Sequence, residues 1–191
     1  MMNRTDDVSG LFPDDCTFLY NFIIKHKCLN VLEIGMADGM STITMLSALS
    51  ENNGRLTSID PYQKGHWQSN GLKNVKKMGF EPNHEFIEII DILALPMLLQ
   101  NNKKYDLIFI DGQHTFDHVL MNNFYADHLL NINGFIINDD IWLPSIQQVC
   151  SFITNNFKHF QIVEEDSYHR FGPIYKKIKE KVVQWDAFTP F

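Results

Sequence analysis

The stretch Val31-Leu-Glu-Ile-Gly-Met-Ala-Asp-Gly39 decides the fold. A short, mostly apolar strand runs into a turn with two glycines, and Ser41–Ser50 follows with helical spacing. Strand, tight turn and helix in that order open an α/β sheet, and such sheets bind ligands outside the carboxyl ends of their strands. Gly35 and Gly39 remove side chains where a ligand can lie against the backbone. A dinucleotide fingerprint wants a third glycine. Counted from Gly35, its second position is Ala37 and its third is Met40, which disfavours a nicotinamide cofactor.

Outward from this unit, apolar runs of strand length alternate with helix-period segments. The strand candidates are Val31–Gly35, Arg55–Asp60, Phe86–Asp91, Asp106–Asp111, Gly134–Asp139, Gln161–Asp166 and Ile174–Ile178. The central ones are nearly continuous apolar runs ending in carboxylate or glycine, as strands covered on both faces require. Helices are expected over Asp14–Lys27, behind an acidic start that suits an N-cap, and over Phe116–Leu130 and Ser145–Phe157. Their stripes, which include Phe22, Val119, Leu120, Phe124 and Ile153, read as core packing. The alternation defines a doubly wound α/β fold. The short link Ser167–Pro173 implies a terminal antiparallel hairpin, with Pro173 opening the last strand.

Composition bounds the function. The chain has 191 residues, 45% hydrophobic and 20% charged, and a formal net charge of −7. That is a soluble composition, and the acidic balance disfavours a nucleic-acid partner. Cys16, Cys28 and Cys150 form no metal-knuckle spacing and read as thiols in a reducing compartment. The start MMNRTDD has no apolar run, and no stretch of about 18 apolar residues follows. The expectation is a cytoplasmic protein with no membrane partner. The aromatic tail Glu180–Phe191 (Trp185, Phe188, Phe191) is unplaced, and its docking on the domain or on a second copy, as a homodimer, stays open.

Asp60 ends the second strand about 20 residues beyond the turn, where a carboxylate can accept the hydroxyls of an adenosine ribose. Asp91 is placed either to meet an adenine amino group or to cap the Ala94–Gln100 segment. The motifs VLEIGMADG, TSIDPYQ, FIEIIDILALP, YDLIFIDGQHTFDHV and GFIINDDIWLPS, in this order and spacing, resemble those of class I S-adenosylmethionine-dependent methyltransferases. The likeness is greatest to a small bacterial group with IDG-x-HTFD and DD-x-x-WP segments, and covers about Gly10 to Ile178. It implies one methyltransferase domain over residues 1–191, with its core at about 10–178. It also implies a seven-stranded sheet of order 3-2-1-4-5-7-6 with the last strand antiparallel. By the same resemblance Glu33, Gly35, Ala37 and Gly39 line the cofactor, Asp60 holds its ribose and Asp91 lies near its adenine. Ala37 departs from the glycine common in the family.

Asp111 ends the fourth strand and Asp139-Asp140 the fifth, so three carboxylates converge at one sheet edge. Like charges that close favour a cation, and oxygen-only ligands favour Mg²⁺. The resemblance implies an Asp111, Asp139 and Asp140 metal site, as in methyltransferases acting on catechol or sugar hydroxyls. Adjacent strand residues point to opposite faces, so Asp139 and Asp140 can share an ion only if the chain has turned. His114 follows in the loop and is the candidate base, with Asp111 beside it as the second catalytic residue. His118, one helical turn on, reads as solvent-facing. His66 and Trp67 are candidates for an acceptor wall, with Trp67 equally a core residue. The expected activity is methyl transfer to oxygen of a small-molecule acceptor, Mg²⁺-assisted. A nicotinamide-dependent oxidoreductase and a non-catalytic cofactor-binding domain stay open as rivals.

Overall fold

The structure, a computed structural model, describes residues 10–163 and 170–181. Strands β1 (Asn30–Ile34), β2 (Arg55–Ile59), β3 (His84–Ile87), β4 (Tyr105–Ile110), β5 (Leu130–Asn138), β6 (Phe160–Val163) and β7 (Ile174–Lys177) form one sheet of order β3-β2-β1-β4-β5-β7-β6. β7 is antiparallel to both its neighbours, and the remaining pairs are parallel. The doubly wound fold and its strand order are those expected.

The central strands are buried because each side chain meets a helix layer. Alternation sends Leu32, Ile34, Ile108, Ile110 and Ile136 to one face, against α4 (Asp91–Gln100), α5 (Phe116–Leu129) and α6 (Pro144–Asn156). Val31, Leu107, Phe109 and Ile137 go to the other, against α1 (Pro13–His26) and α2 (Met40–Ser50). Two apolar clusters thus sandwich the sheet, the arrangement parallel strands need.

Local chemistry sets the element ends. In α1 the cap is Phe12 rather than an aspartate. Asp15 at the third helical position accepts the Phe12 N–H at 2.7 Å, and Pro13 opens the helix. β3 stops at Ile87, short of the expected Asp91, because its only partner β2 ends at Ile59 and leaves no ladder beyond. Asp91 instead opens α4.

One further expectation needs correction. Phe124 is not core but 44% exposed. The buried face of α5 carries Asn122, Asn123 and Asp127, held partly by polar partners: Asn123 exchanges amide hydrogen bonds with Asn138, and Asp127 pairs with His159 at 2.9 Å. The short helix α3 (Asn70–Lys77) is polar overall and turns its few apolar residues, Leu72 and Val75, to the core. It packs glycine to glycine on the first turn, where a Cβ at Gly39 would lie 2.9 Å from the Gly71 Cα. The end of the expected Gln161–Asp166 strand and the aromatic part of the tail fall outside the described residues. Among the described residues, no helix is long and apolar enough to cross a membrane.

Candidate active site

The turn after β1 is bound tightly to its surroundings. Gly35 has φ +94°, and a Cβ there would come within 2.0 Å of the Asp111 carbonyl oxygen. Only glycine fits both the conformation and the contact. Ala37 also takes a left-handed φ of 47°, so the missing glycine costs strain as well as space. Glu33 does not face the cavity. It is fully buried behind the turn and accepts hydrogen bonds from Ser41 (2.5 Å), Thr42 (2.7 Å) and Ser58 (2.6 Å). It therefore ties α2 to β2 and supports the turn from below. Gly39 caps α2 against α3 and likewise stays out of the cavity wall.

Burial pushes the Glu33 carboxyl up to about 7, against the three hydroxyls that favour its charged form. Between about pH 4.5 and 7 the folded state then holds a proton that the unfolded state has released, so stability falls as pH rises through that window. The loss should approach about 3 kcal/mol, and Glu33→Gln should flatten this slope in urea melts taken between pH 4.5 and 8. An unchanged slope in the variant would mean that Glu33 is already ionised when folded.

Asp60, at the end of β2, is 3% exposed. Its Oδ2 accepts the N–H groups of Met36 (3.2 Å) and Ala37 (2.8 Å), and Oδ1 accepts that of Tyr62 (2.7 Å). Asp60 thus holds the turn in place and keeps acceptor capacity at Oδ1. Above it opens a cavity of about 300 Å³. Gly35 and Ala37 form one wall, Ile34, Ile59 and Ile90 give it an apolar lining, and Asp60, Asp91 and Asp111 supply carboxylates. Tyr62 and Trp67 close the side, which places Trp67 at the cavity rather than in the core. His66 is exposed and meets the Trp67 ring edge-on at 4.6 Å. His118 is not solvent-facing. Its Nδ1 lies 3.1 Å from both oxygens of Asp91, because the first turns of α4 and α5 meet there.

The acidic cluster lies at the ends of β4 and β5. The strand ladder continues through Asp111 N–H to the Ile34 carbonyl (2.8 Å) and Asp139 N–H to the Ile110 carbonyl (2.9 Å). β5 ends at Asn138, and Asp140 takes a left-handed φ of 52°, so the chain has turned as a shared ion would need. The turn nevertheless separates the two aspartates. Asp140 Oδ2 lies 3.4 Å and Asp111 Oδ1 3.5 Å from His114 Nε2, and one ligand atom of each of the three residues falls within 4.8 Å of the others. Asp139 is sealed from solvent; its Oδ1 and Oδ2 accept from Arg170 Nε (2.5 Å) and Nη2 (2.6 Å), and its side chain also shares a hydrogen bond with the Asp111 carboxyl. Of the expected trio of Asp111, Asp139 and Asp140, the structure gathers Asp111 and Asp140 about His114, while Asp139 faces Arg170. Desolvation, then the charges of Asp139 and Asp140, hold the Asp111 carboxyl well above its usual range. The Ser145 hydroxyl fixes the His114 loop by donating to the His114 carbonyl at 2.6 Å.

Arg170 was missed in the sequence, yet topology could have found it. β7 runs antiparallel to β5, so the residues just before β7 must sit beside the end of β5. Its guanidinium also reaches Asp15 (3.3 Å) and lies 5.2 Å from the centre of the Trp142 ring.

A seven-stranded sheet of this order, with an acidic cavity at the carboxyl ends of β1, β2 and β4, defines a Rossmann-like methyltransferase fold. Residues 32–141 match the model of a methyltransferase domain family, and the chain belongs to that family. The chain is 30% identical over 141 residues to tapetum-specific methyltransferase 1 of Arabidopsis thaliana, covering 73% of this chain and 58% of the relative. It thus spans less than two thirds of that relative's length. Among solved structures, the O-methyltransferase from Bacillus cereus in complex with SAH superposes with a TM-score of 0.70 at 18% identity, covering 87% of this chain and 80% of that one. The O-methyltransferase TomG from Streptomyces achromogenes, involved in tomaymycin synthesis and solved with SAM, gives a TM-score of 0.68 at 16% identity, covering 87% and 79%. At these identities the structural likeness speaks for the fold.

Proposed function

We propose that this chain binds S-adenosylmethionine in the cavity and transfers its methyl group to a hydroxyl oxygen of a small-molecule acceptor. The observation that carries this reading is the double position of Asp111, which lines the cofactor-sized cavity and belongs to the acidic cluster. A cofactor at one end and an acceptor at the other would meet at that residue. The names of relatives that act on oxygen support the same atom as acceptor.

S-adenosylmethionine, when bound, supplies an electrophilic methyl group on sulfur. The residues of this chain orient and exclude. Gly35 and Ala37 let the cofactor lie against backbone, Asp60 Oδ1 accepts ribose hydroxyls, and Asp91, braced by His118, receives the adenine amino group. Tyr62 and Trp67 shield the site from water. The methyl acceptor must lie in line with the breaking bond, and holding it there is the larger part of catalysis.

The cluster fits a divalent cation, since the carboxylates of Asp111 and Asp140 and an imidazole nitrogen gather within 4.8 Å of one another. Asp111 and Asp140 would hold it, with His114 beside them. An ion such as Mg²⁺, when bound, lowers the pKa of a nearby acceptor hydroxyl. His114 Nε2, which makes no hydrogen bond among the described residues, takes the hydroxyl proton.

The test is transfer of a tritiated methyl group from S-adenosylmethionine to a panel of small phenols, catechols and sugars. Label should appear on a hydroxyl compound, fall with EDTA and return with Mg²⁺, while cofactor affinity changes little. Chelator-insensitive transfer would remove the ion from the reading, and label found only on amines or thiols would remove oxygen. In parallel, Asp60→Asn should weaken cofactor binding about tenfold or more with the fold intact by circular dichroism, as expected for a charged hydrogen bond. Unchanged affinity would place the ribose elsewhere.

A further inference from the structure

We infer that Arg170 is a positioning residue that withholds Asp139 from the cation and so sets which aspartate of the Asp139-Asp140 pair binds it. The inference rests on the cation reading above. Three carboxylates (Asp111, Asp139 and Asp140) stand at the ends of β4 and β5, and Arg170 is the guanidinium among them. Its fork meets Asp139 with two parallel hydrogen bonds, which take one acceptor position on each carboxylate oxygen and oppose the approach of a second cation to that side. The Asp139 side chain is fully buried and that of Arg170 is 10% exposed, so water does not compete for the pair.

The distances agree with this division: Asp139 is the carboxylate nearest the guanidinium, while Asp111 and Asp140 are the two that meet at His114. Asp15 also faces the guanidinium at 3.3 Å, but its carboxylate already serves the first turn of α1, where the helix dipole favours a negative charge. Arg170 Nη2 lies 3.3 Å from Asp140 Oδ1, while Asp140 Oδ2 is turned to His114. The same side chain therefore removes one aspartate and steers the other. It comes from the segment before β7, so the last hairpin of the sheet contributes to the site without touching the cofactor cavity.

The experiment is Mn²⁺ binding to the full chain, followed by the electron paramagnetic resonance signal of the free ion, in four variants whose folding is checked by circular dichroism. Asp140→Asn should weaken binding by at least about tenfold, since even outer partners of a metal site typically cost about 10–100-fold. Asp139→Asn alone should also weaken it, because the uncovered guanidinium repels the ion. Asp139→Asn combined with Arg170→Gln should restore affinity to within about threefold of the parent, because a neutral pair replaces a neutral pair and no ligand is lost. Arg170→Gln alone leaves a buried unpaired carboxylate and is expected to lower the melting temperature, so the double variant carries the decision. A double variant that binds as weakly as Asp140→Asn would overturn the inference, since Asp139 would then be a ligand. A parent that binds S-adenosylmethionine but no Mn²⁺ would overturn the cation reading itself, and this inference with it.

Discussion

His114→Gln should lower methyl transfer by about 10²–10⁴-fold with cofactor affinity nearly unchanged, the usual cost of losing a general base. The imidazole stands 3.5 and 3.4 Å from the carboxylates of Asp111 and Asp140. It lies at the opening of the cluster rather than in the cofactor cavity, whose walls do not include it. Its removal therefore acts on the proton and not on the sulfonium. The loop itself should survive, because it is held through the His114 backbone carbonyl by Ser145 and not through the ring. Single-turnover rates with saturating cofactor measure the effect. Full turnover in the variant would reduce His114 to a loop residue, and the proton would have to leave with an acceptor already ionised or through an aspartate of the cluster.

Gly35→Ala should be the most damaging change to the fold near the site. The added Cβ would lie 2.0 Å from the Asp111 carbonyl oxygen and 2.9 Å from the Gly112 Cα, and both are backbone atoms that cannot swing away. The residue also sits at φ +94°, where an L side chain is strained. Overlap and strain together place the cost at roughly 3–5 kcal/mol, the far tail of single substitutions. Urea unfolding of the variant measures it, and cofactor binding should be lost even where the chain still folds. The turn carries Ala37, whose N–H is held by Asp60, so a shift at Gly35 would travel directly to the ribose carboxylate. A variant with near-parental stability would mean that the turn and the end of β4 can separate cheaply.

The parts of this molecule that could be read from the sequence are those dictated by burial on two faces. The runs of β1, β4 and β5 are apolar because both helix layers press on them, and their terminal carboxylates marked the functional edge. The order of the outer strands was not readable from pattern and came through resemblance. Properties that depend on a neighbour were lost. The apolar run of β3 continues past Ile87, but the sheet beside it does not. Phe124 has the spacing of a core residue, while the buried face of α5 is polar because Asn138, His159 and Lys177 wait there. His118 looked like a surface residue until α4 brought Asp91 against it. Asp139 and Asp140 are chemically identical in the sequence. What distinguishes them is an arginine 30 residues further on and a left-handed backbone step, neither of which has a local signature.

The central claim is that the cavity above Gly35, Asp60 and Asp91 is a site for S-adenosylmethionine. Isothermal titration of the purified chain with S-adenosylmethionine and, separately, with NAD⁺ tests it most directly. Saturable binding of S-adenosylmethionine to one site, weakened about tenfold or more by Asp60→Asn and absent for NAD⁺, is the predicted result. Binding of NAD⁺ with none of S-adenosylmethionine, or S-adenosylmethionine affinity indifferent to Asp60, would contradict it.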